Sequence, residues 1–122
     1  MVQQPIESAC VNAGSFSGAV ELIREKLVAA GLTVLAESRL KSCRILYIAC
    51  PFLLLEALTF NRSTAVFVPV QVIVLPKENG AEAHWMNLAS VARVRLPVCA
   101  HRPVSALCWR ISQAFEPNPT TN

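Results

Sequence analysis

One cysteine occupies a position that favours thiol chemistry. Cys50 ends an apolar run that begins at Arg44 and predicts a strand, and Pro51 follows it directly. Proline suits the first position of a helix, so Cys50 is expected between a strand end and a helix start. A thiol at the positive end of a helix dipole is activated as a nucleophile. Cys50 is therefore a candidate for redox or sulfur-handling chemistry, and its alternative role is a small buried core residue.

A second group of residues carries the donor atoms of a metal site. Cys99 and His101 are separated by one residue, and Cys108 follows Cys99 by nine residues. Thiolate and imidazole both bind zinc, but a structural zinc site needs four such ligands. His84 and the remaining cysteines lack the spacing of a zinc motif. We predict no metal and no cofactor, and Cys99, His101 and Cys108 are the candidate ligands if a metal is bound.

The charged residues form no recognisable catalytic or nucleic-acid-binding pattern. All 8 acids are glutamates, and no pair has a spacing suited to general acid and base catalysis. Glu56, inside an apolar helix, is expected to face outward. Near Trp109 lie four arginines that are more typical of a solvated rim than of a nucleic-acid site, namely Arg93, Arg95, Arg102 and Arg110. With 4 glycines there is no phosphate-binding loop, so we predict neither an enzyme nor a nucleic-acid-binding protein.

The composition shows an apolar excess that must be covered by something. The chain has 122 residues, of which 53% are hydrophobic and 16% charged, with a net charge of +3. This length predicts one domain, with an ordered core over residues 6–116 and a polar tail over 117–122. The longest apolar run, Ile45 to Phe60, is interrupted by Pro51 and Glu56 and is shorter than the roughly 20 residues of a membrane span. The surplus apolar residues are therefore expected in a subunit interface or around a ligand cavity.

The cysteine count indicates a compartment. Five cysteines are an odd number, and none forms a Cys-x-x-Cys pair. A disulfide framework in a small secreted domain favours an even count. We therefore expect reduced thiols and a cytoplasmic location, without a membrane.

The first half of the chain predicts a strand, a helix and two further strands. The first strand runs over Ile6 to Ala13, and a helix follows with Ser17 as its N-cap and Gly31 after its last turn. A strand over Leu32 to Ser38 directs Glu37 to the solvent side. The run from Arg44 to Cys50 is apolar on both faces, as in a central strand that is covered on both sides.

The second half predicts a short helix, a hairpin and a long helix. Phe52, Leu55 and Leu58 share one face of a helix that ends at Phe60. Asn79-Gly80 is a hairpin signal between two strands. The last helix opens at Pro103 and carries one apolar stripe of Val104, Leu107, Cys108, Ile111 and Phe115. The order predicts an α+β fold of two layers, a mainly antiparallel sheet with the long helices on one face. The other face is expected to be covered by a second copy of the chain.

Several short motifs between Phe16 and Asn87 resemble one known family. The helix from Val20 to Leu27 and the following Gly31-Leu32-Thr33-Val34 resemble an opening helix and a Gly-Phe-x-Val strand. Tyr47 to Pro51 is similar to an Ala-Cys-Asn-Pro segment without its Asn. Phe67 to Val72 is similar to a Leu-Leu-Pro-Cys-x-Val strand, with Val70 in place of the second Cys. These motifs are those of the domain of unknown function 302 family.

The resemblance implies a two-layer α+β fold similar to that of the TATA-binding protein, and a homodimer. It implies no activity. Because Val70 replaces the second Cys, the resemblance supplies no partner thiol for Cys50.

Together, these observations predict a homodimeric binding domain that takes a small apolar ligand in a cleft near Cys50-Pro51. The expected ligand-binding residues are Cys50, Pro51, Phe52, Phe67 and Trp85. The alternative is a thiol-based redox or sulfur-handling protein that uses Cys50.

Overall fold

The computed structural model describes residues 6–60, 70–86 and 98–116. Its elements are, in chain order, β1 (Ile6–Asn12), α1 (Phe16–Ala29), β2 (Thr33–Arg39), β3 (Arg44–Ala49), α2 (Pro51–Phe60), β4 (Val70–Lys77), β5 (Gly80–Met86) and α3 (Val98–Phe115). The predicted ligand residue Phe67 lies outside the described residues.

The five strands form one antiparallel sheet in the order β1-β5-β4-β3-β2. In β4, Val70, Val72 and Val74 are buried while the residues between them are exposed. α1 packs across β1, β5, β4 and β2, and α3 packs against α1 and α2. The predicted α+β fold of two layers is confirmed, with the helices on one side of an antiparallel sheet.

The first helix buries the apolar side chains that recur at helical spacing, and it begins earlier than predicted. Val20, Ile23 and Leu27 are buried, in agreement with their helical spacing. Ser15, not Ser17, is the N-cap, and its hydroxyl accepts the Gly18 amide at 3.0 Å. The preceding Gly14 amide donates to the Asn79 carbonyl at 3.0 Å, which ties the start of the helix to the β4–β5 turn. Gly31 follows the helix at φ 85, the left-handed conformation expected of a C-terminal glycine.

A bulge in β2 reverses the direction predicted for Glu37. The register shifts between Val34 and Ala36, so one extra residue enters the strand and the alternation of faces inverts. Glu37 therefore pairs with the buried Leu46 and faces the helices, where its side chain is only 10% exposed. The prediction that it faces solvent is wrong because a simple alternation cannot anticipate an inserted residue.

Glu37 is surrounded by arginines in this position. Its carboxylate forms an ion pair with Arg24 of α1. It also lies 2.8 Å from Nε of Arg39 and 3.7 Å from Nε of Arg44. The bulge thus brings the end of β2 into contact with α1.

The β4–β5 hairpin forms where Asn79-Gly80 predicts it, with a tighter turn. Lys77 pairs with Gly80, so the turn consists of Glu78 and Asn79, and Asn79 adopts φ 65. A Cβ atom on Gly80 would overlap the carbonyl oxygen of Val11. Glycine is required here because β1 pairs closely with the first residue of β5.

The short helix α2 exposes the face that Phe52, Leu55 and Leu58 share. It begins at Pro51 as predicted, and the Leu54 amide donates to the Cys50 carbonyl at 2.9 Å. Phe52, Leu55 and Leu58 are 82%, 62% and 41% exposed, while Leu53 and Leu54 pack against the core. Apolar residues occupy nearly every position of this helix, so the pattern does not select a face.

The last helix begins at Val98, five residues before the predicted start at Pro103. Of the predicted stripe, Leu107, Cys108 and Ile111 are fully buried and Phe115 packs against the core. The side chain of Val104 lies outside the described residues. No helix within residues 6–60, 70–86 and 98–116 has both the length and the hydropathy needed to cross a membrane.

Candidate functional site

The face of the sheet opposite the helices, here called the open face, carries a defined set of side chains. The alternation of each strand and the pairing registers place them together. They are Ile6, Ser8, Cys10 and Asn12 of β1, Glu82, His84 and Met86 of β5, Gln71, Ile73, Leu75 and Lys77 of β4, Ile45 and Tyr47 of β3, and Ala36 and Ser38 of β2.

One end of the open face is apolar. Ile6, Met86 and Ile73 are 52%, 45% and 37% exposed, and Ile45 and Tyr47 are half-buried beside them. A shallow depression of about 220 Å³ opens here, lined by Ile6, Gln71, Ile73, His84, Trp85 and Met86. We call this region the apolar end.

The other end of the open face, next to the β4–β5 turn, holds a chain of polar contacts. Nζ of Lys77 donates to Sγ of Cys10 at 3.1 Å and lies 3.7 Å from Oε2 of Glu82. Oε1 of Glu82 lies 2.9 Å from Nε2 of His84. Three neighbouring strands thus bring together a thiol, an ammonium, a carboxylate and an imidazole, which we call the hairpin-end cluster.

These contacts shift the protonation of two members of the cluster. The hydrogen bond to Cys10 and the attraction to its sulfur, followed by the attraction to Glu82, raise the pKa of Lys77 above its ordinary value. The hydrogen bond with His84, followed by the attraction to Lys77, lowers the pKa of Glu82. At neutral pH the cluster therefore holds a charged ammonium and a charged carboxylate side by side.

The predicted site residues around Cys50 lie in different surroundings. Cys50 is at the predicted junction of strand and helix, but it is only 2% exposed and belongs to the hydrophobic core. Reagents in solvent reach such a thiol only when the structure opens locally. Pro51 and Phe52 are exposed at the start of α2.

Trp85 has a clear packing role. It is 4% exposed, and its ring stacks on Phe115 with 5.1 Å between centroids. Its Nε1 donates to Oε2 of Glu7 at 3.2 Å, and the hydroxyl of Ser112 donates to the other carboxylate oxygen at 3.1 Å. These contacts join β1, β5 and α3. The ligand site formed by Cys50, Pro51, Phe52, Phe67 and Trp85 stays a prediction.

The candidate metal ligands fall on the last helix. The backbone places Cys99 and His101 in its first turns, and their side chains lie outside the described residues. Cys108 is fully buried, and its thiol donates to the Met86 carbonyl at 3.8 Å. Within the part of the chain that the structure describes, no group of three or more His, Cys, Asp or Glu side chains could hold a metal ion.

Sequence reasoning missed the hairpin-end cluster. Part of it follows from the hairpin, because a two-residue turn at Asn79 places Lys77 and Glu82 near each other across the strands. The position of Cys10 in this cluster cannot be inferred from the hairpin sequence. It lies 67 residues before Lys77 and reaches it only because β1 adds to the free edge of β5.

The comparison with solved structures identifies the fold. The chain superposes on the crystal structure of uncharacterized conserved protein DUF302 from Bacillus stearothermophilus with a TM-score of 0.75. The match covers 93% of this chain and 97% of the other, at 14% sequence identity. The chain has the DUF302 fold. No protein-family model and no curated protein matches the sequence.

The structural match confirms the resemblance to the domain of unknown function 302 family at the level of the fold. Nearly the whole length of both chains takes part, so the likeness extends over the whole fold. At this identity the match carries the fold alone and says nothing about activity.

Proposed function

We propose that this protein is a homodimeric binding domain in which a second copy of the chain covers the open face. The observation that carries the proposal is the apolar end, which exposes Ile6, Ile73 and Met86 on a sheet face that none of the described helices covers. An antiparallel sheet with one covered face usually turns polar side chains to water on the other. A contiguous apolar patch on that side is typical of a surface that meets a partner.

The dimensions of the sheet support a partner of similar size. Five strands spaced about 4.8 Å apart, each about seven residues long, give a face of roughly 20 by 24 Å. The flat area of this face is roughly 480 Å², and the protruding side chains make its solvent-accessible area larger. Full coverage then approaches the roughly 800 Å² per partner of a standard protein interface.

The charges of the open face favour a second copy over a charged partner. Among the described residues that the register places there, Lys77 and Glu82 are the charged ones, and they lie 3.7 Å apart. Because these opposite charges neutralise each other locally, the face presents no strong field to a nucleic acid. A two-fold dimer presents the same patch on both subunits, which suits an uncharged apolar surface.

The depression at the apolar end fits a side chain better than a whole ligand. Its volume of about 220 Å³ lies below the roughly 300–1,000 Å³ of sites for drug-sized molecules. A protruding Ile or Met of the second copy is of the right size and chemistry. The small apolar ligand predicted from the sequence is expected near Cys50-Pro51, and of its predicted contact residues Trp85 lines this depression.

A substitution at the centre of the open face tests the proposal. Ile73 lies on β4, between two other strands, and is 37% exposed. In the isolated subunit, Ile73→Lys places an ammonium in water and is expected to leave the fold intact. In the dimer it places two unpaired charges in an apolar interface, so dissociation is expected. Sedimentation equilibrium should give twice the chain mass of 13.3 kDa for the wild type and 13.3 kDa for this variant.

Phe52→Lys is the matched control. Phe52 is the most exposed large apolar side chain described, but it lies on α2 in the helical layer. This variant is expected to remain a dimer. A wild-type mass of 13.3 kDa contradicts the dimer, and dissociation by Phe52→Lys instead of Ile73→Lys assigns the interface to α2.

A further inference from the structure

Three arginines of the described residues meet on the helix side of the sheet, near the turn between β2 and β3. Arg24 belongs to α1, Arg39 ends β2 and Arg44 begins β3. Each of them contacts the Glu37 carboxylate. We propose that these arginines form a binding site for a phosphate dianion. The proposal does not rest on the dimer, because the site lies on the opposite side of the sheet from the open face.

The strand register places two of these arginines side by side. Arg39 lies directly opposite Arg44, and Arg44 lies directly opposite the buried Val74 of β4. Cross-strand neighbours share a face of the sheet, so both arginines lie on the side of the helices. Like charges that are directly opposite repel each other and destabilise a sheet. An anion bound between them would remove this repulsion.

The described acids offset the positive charge only in part. Glu37 brings one negative charge to three guanidinium groups. Glu21 lies 3.8 Å from Arg24, but its side chain is 71% exposed, so water and salt screen the contact. An excess of about two positive charges remains, which matches the charge of a phosphate monoester at neutral pH.

The guanidinium groups keep donors that the described part of the chain does not use. Arg39 donates from Nε to Glu37 at 2.8 Å, and no described residue accepts from its Nη groups. Its side chain is 74% exposed, so solutes can reach these donors. Nε of Arg44 lies 3.7 Å from the carboxylate, which is beyond hydrogen-bond distance. Planar guanidinium groups bind phosphate oxygens through pairs of parallel hydrogen bonds.

An aromatic ring supports Arg44 without using its donors. The central carbon of the guanidinium lies 5.3 Å from the centre of the Phe16 ring, in a cation–π contact. Phe16 itself packs against the hydrophobic core. The contact uses the charge of the guanidinium, so its N–H groups stay available to a ligand. Because Arg44 is already held in place, less conformational entropy is lost when it binds.

A compact dianion is the ligand class that fits these features. A carboxylate would neutralise about half of the excess charge, whereas a phosphate group carries close to two negative charges. A nucleic acid is held by cations spread along its backbone, and these arginines converge on one point. The donors are side chains, so the site needs no glycine-rich loop.

A titration with phosphate tests the site on the intact protein. The Nε–H signals of the arginines are followed by nuclear magnetic resonance at about pH 7.5, where both probes are mainly dianions. The probes are inorganic phosphate and phenyl phosphate, each added at constant ionic strength. The signals of Arg39 and Arg44 are expected to shift to saturation with millimolar affinity. The signal of Arg110, which is exposed on α3, should stay in place.

The two probes distinguish the sources of the phosphate group. Tighter binding of phenyl phosphate assigns the site to a small organic phosphate. Equal affinities assign it to the free anion.

Three variants separate a phosphate site from a general positive field. Arg39→Gln removes an exposed guanidinium, is expected to leave the fold intact, and should weaken phosphate binding roughly tenfold or more. Arg39→Lys keeps the charge but loses the paired donors, and should weaken binding roughly threefold. Arg110→Gln is the matched control, since it makes the same change of charge on α3 and should alter the affinity less than about twofold.

The outcomes that contradict the site are distinct. Shifts that do not saturate, or shifts of similar size at Arg110, indicate nonspecific attraction and overturn the proposal. Unchanged affinity in Arg39→Gln also overturns it. Urea unfolding midpoints of the variants ensure that a loss of binding is not a loss of structure.

Discussion

On the open face, Glu82 lies between an imidazole and an ammonium, and both contacts favour its charged form. Its pKa is lower in the folded protein than in the unfolded chain, chiefly through His84 and then through Lys77. Such a carboxylate stabilises the fold above its unfolded pKa of about 4.3, and the contribution is lost as the pH falls through the lower folded value.

Stability in acid therefore tests the contacts of Glu82. Between about pH 5 and pH 3, the wild type should lose more stability than Glu82→Gln, which has no carboxyl to protonate at this position. Urea unfolding midpoints at the two pH values measure the difference. It should shrink in 1 M salt because the cluster is exposed. Equal acid losses in both proteins would show that these contacts do not persist in solution.

Individual residues were predictable where a local rule determines them. Gly31 at the end of α1 and the hairpin at Asn79 follow from backbone preferences that act within a few residues. The contact of Cys10 with Lys77 depends on which strand pairs with β5. That choice is made by the packing of the whole sheet and leaves no local pattern.

At the scale of elements, the bulge in β2 makes Glu37 the connection between sheet edge and helix. The carboxylate is 10% exposed and is paired with Arg24, whose side chain is 30% exposed. Glu37→Ala is expected to destabilise the protein by roughly 2–3 kcal/mol, because it leaves partly buried guanidinium groups without their acceptor.

A double-mutant cycle isolates this connection. Combining Glu37→Ala with Arg24→Ala should give a coupling energy of about 1 kcal/mol or more in urea unfolding. Glu21 is the matched control, since it lies 3.8 Å from the same arginine but is 71% exposed. Its coupling to Arg24 should stay below about 0.5 kcal/mol. Similar coupling energies for the two pairs would show that the bulge does not hold Glu37 inward.

The elements themselves were largely predictable, and their faces less so. Regular periodicity identified the buried side of α1, where Ile23 is fully buried. The same reasoning failed for β2, where the bulge inverts the strand, and it selected no buried face for α2, where apolar residues surround the helix. In both cases contacts with other elements, not the local pattern, decide what is buried.

For the whole molecule, the apolar excess of the sequence is only partly used by the core. The structural match accounts for the two-layer fold, with nearly all of both chains aligned. Several of the apolar side chains that stay exposed lie on the open face and on α2, among them Ile6, Met86 and Phe52. The sequence predicted that a surface is left to cover. It assigned that surface to the sheet face opposite the helices, but it could not name the side chains there, because these depend on the face to which each strand turns.

The central claim, that a second copy covers the open face, is tested most directly by contacts between subunits. A mixture of isotope-labelled and unlabelled protein allows intermolecular nuclear Overhauser effects to be observed alone. The dimer predicts such effects at the methyl groups of Ile6, Ile73 and Met86, which the isolated subunit exposes. Their absence, or intermolecular effects confined to Phe52, Leu55 and Leu58 of α2, would contradict the proposed interface.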